Sequence, residues 1–106
     1  MKWETPCEQG FTVVVPYLRA ALIQRMVERG VKVKKATKLV GLSATSYEKH
    51  QKSTKVKEIL SDPVVSDMLE SLVGRLVAGD RVEETSFCLL CSNSRKIFGL
   101  PPCPVL

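Results

Sequence analysis

Apolar and polar positions alternate along this chain with a helical period almost throughout. Residues Thr12 to Arg29 place Val14, Val15, Leu18, Ala21, Leu22 and Met26 at helical spacing. Pro16 sits inside that run, so the helix either starts or kinks there, and Gly30 ends it. A second, shorter pattern carries Ala36, Leu39 and Val40 and stops at Gly41. Leu42 then turns back toward the core, and Ser43 is a natural N-cap for another helix. A short helix is expected around Thr54 to Leu60. Asp62-Pro63 is a start signal, an N-cap followed by proline in the first turn. From there Val64/Val65, Met68/Leu69, Leu72/Val73 and Leu76/Val77 recur every four residues until Gly79. So regular a stripe serves as core, with its outer edge free to pair subunits. The last helix runs from about Glu84 to Phe98, where Gly99-Leu-Pro-Pro stops it. Val13 to Val15 could pass for a strand, but the run is short and leads into a helical pattern. The expectation is an all-α fold, a five- to six-helix bundle in a single domain over residues 1–106.

Within that bundle, residues 34–52 stand out: two short helices joined at a glycine. A tight turn between helices needs a left-handed residue, which glycine supplies without steric cost. This is the layout of a helix-turn-helix, whose second helix enters the DNA major groove. Charge supports it. From Val31 to Lys57 there are eight lysines against one acid, Glu48, whereas Glu58 to Phe87 holds seven acids against Arg75 and Arg81. The net charge of +5 is therefore concentrated where phosphate contacts would be wanted. A solvated lysine face is the plain alternative, and its coincidence with the two-helix motif argues against it.

Four cysteines form the second unusual feature: Cys7, Cys88, Cys91 and Cys103. Cys88 and Cys91 make a C-x-x-C, read here at a helix start, where two sulfurs share one side of a turn and amide dipoles favour thiolates. Four thiolates suit an iron–sulfur cluster or a tetrahedral zinc. Buried thiols, a Cys88–Cys91 redox disulfide and structural disulfides are the alternatives.

The chain resembles small archaeal transcriptional regulators with a lambda-repressor-like (Xre-type) helix-turn-helix and a cysteine-containing C-terminal tail. Three blocks carry the likeness: TPCE before VVVPYLRAAL, then KKATKLVGLSATSYEKH, then DPVVSDMLESLVGRLVAGD leading into SFCLLC. The resemblance implies a DNA-binding homodimer with metal or redox sensing in the cysteine-bearing segment, about residues 84–106. In its register the groove-facing positions are Ser43, Ala44, Thr45, Glu48, Lys49 and Lys52, with Lys34, Lys35 and Lys55 as flanking phosphate contacts. Ser43 and Thr45 can meet bases or phosphates, Lys49 and Lys52 suit phosphates, and Glu48 can accept from cytosine N4. Thr37, Tyr47 and His50 depart from the pattern, which has alanine at the first position and aliphatic anchors at the other two. His50, the one histidine, is expected to pack a helix rather than bind a metal.

Length and composition bound the rest. At 106 residues and 11.8 kDa, 44% of them hydrophobic, the chain can bury a modest core. No apolar run approaches the roughly 20 residues of a membrane span, and MKWETPCEQG lacks the apolar core of a signal peptide, so a cytoplasmic protein is expected. No glycine-rich phosphate loop or paired carboxylates in an apolar setting argue for an enzyme. The leading rivals to a regulator are a helical protein-interaction adaptor and a metal or redox carrier with a vestigial helix-turn-helix.

Overall fold

A computed structural model describes residues 6–101, except for the side chains of residues 6, 7 and 84. Seven α-helices and one 3-10 turn make up the described chain. They are α1 (Pro6–Val13), α2 (Val15–Glu28), α3 (Val33–Val40), α4 (Ala44–His50), α5 (Thr54–Ser61), α6 (Pro63–Ala78) and α7 (Glu84–Ser94), with the 3-10 turn at Arg95–Phe98. The all-helical expectation holds, and Val13 to Val15 are not a strand. The helix count exceeds the five or six expected because α1 is a separate helix.

Pro16 explains the break between α1 and α2. It has no amide hydrogen to donate to the Thr12 carbonyl, so the helical ladder fails at that point. Val14 keeps right-handed dihedrals, and Tyr17 and Leu18 both donate to its carbonyl at 3.1 Å. The chain thus restarts rather than stops, and Pro16 lies in the first turn of α2.

α2 is the axis of the fold. Leu18, Ala20, Ala21, Leu22, Ile23 and Met26 are all buried, more than one stripe of the helix, because α1, α3, α4, α5 and α6 pack around it. Facing them are Ala36 from α3, Tyr47 from α4, Val56 and Ile59 from α5, and Val65, Leu69, Leu72 and Val73 from α6. Leu90 of α7, which packs against α6, joins the same core. The Cα radius of gyration, 13.2 Å, is that of one packed unit, about 13 Å for a chain near 100 residues.

The cap signals act where the side chains allow. Asp62 Oδ1 accepts from the N–H groups of Val64 and Val65, each at 3.0 Å, to start α6. Ser53 Oγ accepts from Lys55 N at 3.1 Å to start α5. The last helix is less regular than its pattern suggests: it is α-helical to Ser94 and tightens into the 3-10 turn before Gly99. Among the described residues no helix is long and apolar enough to cross a membrane.

Candidate nucleic-acid interface

α3 and α4 meet at Gly41, whose φ of 82° only glycine adopts cheaply. The N–H groups of Gly41 and Leu42 both donate to the Thr37 carbonyl, at 2.8 and 3.1 Å, which closes α3. Ser43 Oγ then accepts from Ser46 N at 3.1 Å and opens α4. Arg19 crosses from α2 to donate to the Gly41 carbonyl at 3.3 Å, with Phe11 6.0 Å from its guanidinium. Neither Arg19 nor Phe11 was marked by the sequence, because both act through contacts distant along the chain.

The atypical residues of this segment fit their places. Thr37 is buried, and its hydroxyl donates to the Lys34 carbonyl at 2.9 Å, so no polar group is stranded. Tyr47 is 7% exposed and is the main anchor of α4. Burial, with the carboxylate of Glu28 adding, pushes the Tyr47 hydroxyl above the usual tyrosine range. His50 packs rather than ligates: its Nδ1 lies 2.7 Å from the Ser46 carbonyl, and its ring meets Tyr17 edge-on at 4.8 Å. Tyr17 in turn touches Phe98, 5.5 Å between ring centres.

With Tyr47 turned inward, the opposite side of α4 is open. Ser43, Ala44, Thr45, Glu48, Lys49 and Lys52 are all exposed and lie along that outer side. Lys32, Lys34, Lys35 and Lys38 at and along α3, and Lys57 on α5, are also exposed. Among the described residues, none of these seven lysines pairs with a carboxylate. Several acids of the bundle are held by other cations. Glu70 holds Arg25 and Arg29 at 3.0 and 2.6 Å, Asp62 holds Lys96 at 3.2 Å, and Glu28 holds Arg25 at 2.8 Å. The result is a cationic surface interrupted by one acid, Glu48.

Lys55 differs from the other candidate contacts. Its ammonium donates to the Ile97 carbonyl at 2.8 Å, pairs with Glu58 at 3.3 Å and lies near the Phe98 ring. It braces α5 against the 3-10 turn.

The cysteines are placed differently from their sequence reading. Cys88 is the fifth residue of α7, so the C-x-x-C lies a full turn inside the helix and not at its start. Its amides are spent in the helical ladder there, and the terminal dipole argument for thiolates does not apply. Cys88 is exposed and Cys91 half-buried. The Cys91 sulfur rests on α1: a Cβ added to Gly10 would stand 3.2 Å from it and 3.5 Å from Arg95 Nη1. The side chain of Cys7 and all of Cys103 lie outside the described residues. Among those described, no three His, Cys, Asp or Glu side chains gather as a metal site would require.

Arg95 is the residue that sequence reading overlooked most. It is 2% exposed, and it donates to the Pro101 carbonyl at 2.6 Å and to Gln9 Oε1 at 2.8 Å. An arginine in a polar SNSRK stretch gives no sign that it will be buried.

No family model, no curated protein and no solved structure matches the chain.

Proposed function

We propose that the protein binds duplex DNA as a transcriptional regulator, with α3 and α4 acting as a lambda-repressor-like helix-turn-helix. In this reading α4 lies in the major groove, with Ser43, Ala44, Thr45 and Glu48 toward base edges. Lys49 and Lys52, with Lys34 and Lys35 from α3, meet the phosphates. The observation that carries the reading is the set of seven exposed lysines between Lys32 and Lys57 with no carboxylate partner among the described residues. A face made only for solubility would gain from interleaving both signs; this one leaves most of its charge uncompensated.

The test is binding of duplex DNA by fluorescence anisotropy across a series of salt concentrations. Each lysine that meets a phosphate contributes about 0.9 to the slope of log affinity against log salt. The Lys49→Ala/Lys52→Ala variant therefore loses affinity and flattens the slope. Affinity and slope equal to those of the parent protein would remove α4 from the interface.

A second element is control through the cysteines, favoured by the seat of the Cys91 sulfur on Gly10 of α1. Two sulfurs one turn apart on α7 are half of a ligand set for an iron–sulfur cluster or zinc, with Cys7 and Cys103 as the proposed remainder. Chemistry at Cys91 would press on α1, which packs against α2, the axis that carries α3 and α4. Purification without oxygen, followed by a visible spectrum and elemental analysis, tests the metal. Absence of iron, zinc and visible absorbance would leave thiol oxidation as the only form of this control.

A further inference from the structure

Among the described residues, α6 presents one long face that no other helix covers. Its inner side carries the buried Val65, Leu69, Leu72 and Val73. At 3.6 residues per turn the outer side carries Val64, Asp67, Met68, Ser71, Arg75 and Ala78. Val64 is 52% exposed, and beside this face α7 leaves Leu89 47% exposed. Between the two helices runs an open groove of about 280 Å³, bordered by Asp67, Met68, Ser71 and Arg75 from α6 and by Leu89 from α7. Neither Asp67 nor Arg75 has an ion-pair partner among the described residues.

The order of residues on this face is symmetric about its centre. α6 spans Pro63–Ala78, so Ser71 lies at its midpoint, with Asp67 one turn before it and Arg75 one turn after. We infer that α6 is the seam of a two-fold dimer, in which the helices of two copies run antiparallel and cross at Ser71. An isologous interface must be self-complementary, each residue meeting its counterpart under the same rotation. In this register Asp67 of one copy faces Arg75 of the other, and the pairing occurs twice. Val64 falls opposite Ala78, so a large side chain meets a small one at each end of the seam. A small residue at the crossing lets the backbones approach, and Leu89 of each copy flanks the seam. The parallel arrangement has no such match, since it sets Asp67 against Asp67 and Arg75 against Arg75.

This seam gives the proposed regulator its dimer, and it is tested without DNA so that either idea can fail alone. Analytical ultracentrifugation of the full chain at micromolar concentration is expected to show a dimer. Asp67→Arg alone sets two arginines against each other at both ends of the seam, and Arg75→Asp alone sets two aspartates. Each raises the dissociation constant at least about tenfold. Both positions are exposed, so circular dichroism of the variants stays that of the parent protein. The double variant Asp67→Arg/Arg75→Asp dimerises again, and an equimolar mixture of the two single variants forms a mixed dimer. A parent protein that sediments as a monomer overturns the seam. So do single variants that dimerise like the parent, or a double variant that fails to recover.

Discussion

The ammonium of Lys55 donates to the carbonyl oxygen of Ile97 at 2.8 Å, joining the end of the lysine-rich segment to the end of the cysteine-bearing one. The same 3-10 turn offers Phe98 to Tyr17, and Tyr17 meets His50 at the last turn of α4. The 3-10 turn after α7 is thus linked to α4 by an aromatic relay through Tyr17 of α2, and to α5 by one hydrogen bond. Lys55→Ala removes a charged donor that is partly exposed, and its cost is expected at about 1 kcal/mol. For a chain near 100 residues that lowers the melting temperature by roughly 4–8 °C. Its salt slope for DNA stays close to that of the parent protein, unlike that of Lys49→Ala. A slope reduced by the Lys55 change as much as by the Lys49 change would mean that its ammonium leaves Ile97 for a phosphate.

Glu48 is the one acid on the exposed side of α4, and it has no ion-pair partner among the described residues. Its carboxylate repels phosphates and accepts only where a base offers a donor. Glu48→Ala is therefore expected to tighten binding to random-sequence duplex while narrowing the gap between preferred and random sites. A competition assay with both duplexes reads this directly. Weaker binding to random duplex would show that the carboxylate does not face the DNA.

Gly10 and Cys91 should be energetically coupled. Alanine in a helix interior is favoured over glycine by about 1 kcal/mol. At residue 10, however, the new methyl would meet the Cys91 sulfur at 3.2 Å, tighter than ordinary contact. Gly10→Ala in the parent background therefore gains little or loses stability, and in a Cys91→Ala background it gains close to the full amount. Urea unfolding of the four proteins gives the coupling. Additive effects would mean that the sulfur moves aside without cost, and the proposed path from Cys91 to α1 would lose its basis.

Asp62 gives α6 an acid-sensitive start. Its carboxyl is held below the usual aspartate range chiefly by the N–H of Val65, with the ammonium of Lys96 and the N–H of Val64 adding and desolvation opposing. A carboxylate with a lowered folded-state pKa contributes stability above its unfolded value, about 3.9, and loses it as pH falls through the folded value. Asp62→Asn keeps a cap acceptor but no charge. Its melting temperature is expected below that of the parent protein at neutral pH, with the gap closing only below about pH 4. A gap that does not depend on pH would assign the whole effect to cap geometry.

Much of the fold could be read before any coordinates. Asp62-Pro63, Gly79, Ser43 and Gly41 act locally, through caps and backbone dihedrals, and so leave marks at fixed offsets. α1 was not legible, since CEQGFTV carries Gly10 in mid-helix and no apolar period. Gly10 is there because Cys91 and Arg95 come close to it, and closeness across that much chain leaves no local trace. The same holds for Lys55, which resembles its neighbouring lysines in sequence and differs only through Ile97 and Phe98. The exposed positions of α4 were legible because one buried anchor, Tyr47, sets the rotation of the whole helix. The start of the last helix near Glu84 was legible, and the C-x-x-C was nevertheless read at a helix start, although Cys88 lies a turn inside α7.

The bond between Arg95 and Gln9 spans 86 positions of the chain. During synthesis from the N-terminus, α1 emerges before the other described helices, while the guanidinium that fastens it emerges after all seven. Helices α2 to α6 can assemble their shared core before Arg95 exists, whereas α1 must wait beside them with its partner still unmade. The contacts of α1 with α2 can form early, but its bond to Arg95 can form only once the chain has been made through α7. An interrupted chain would keep the lysine-bearing helices but leave the first helix unfastened.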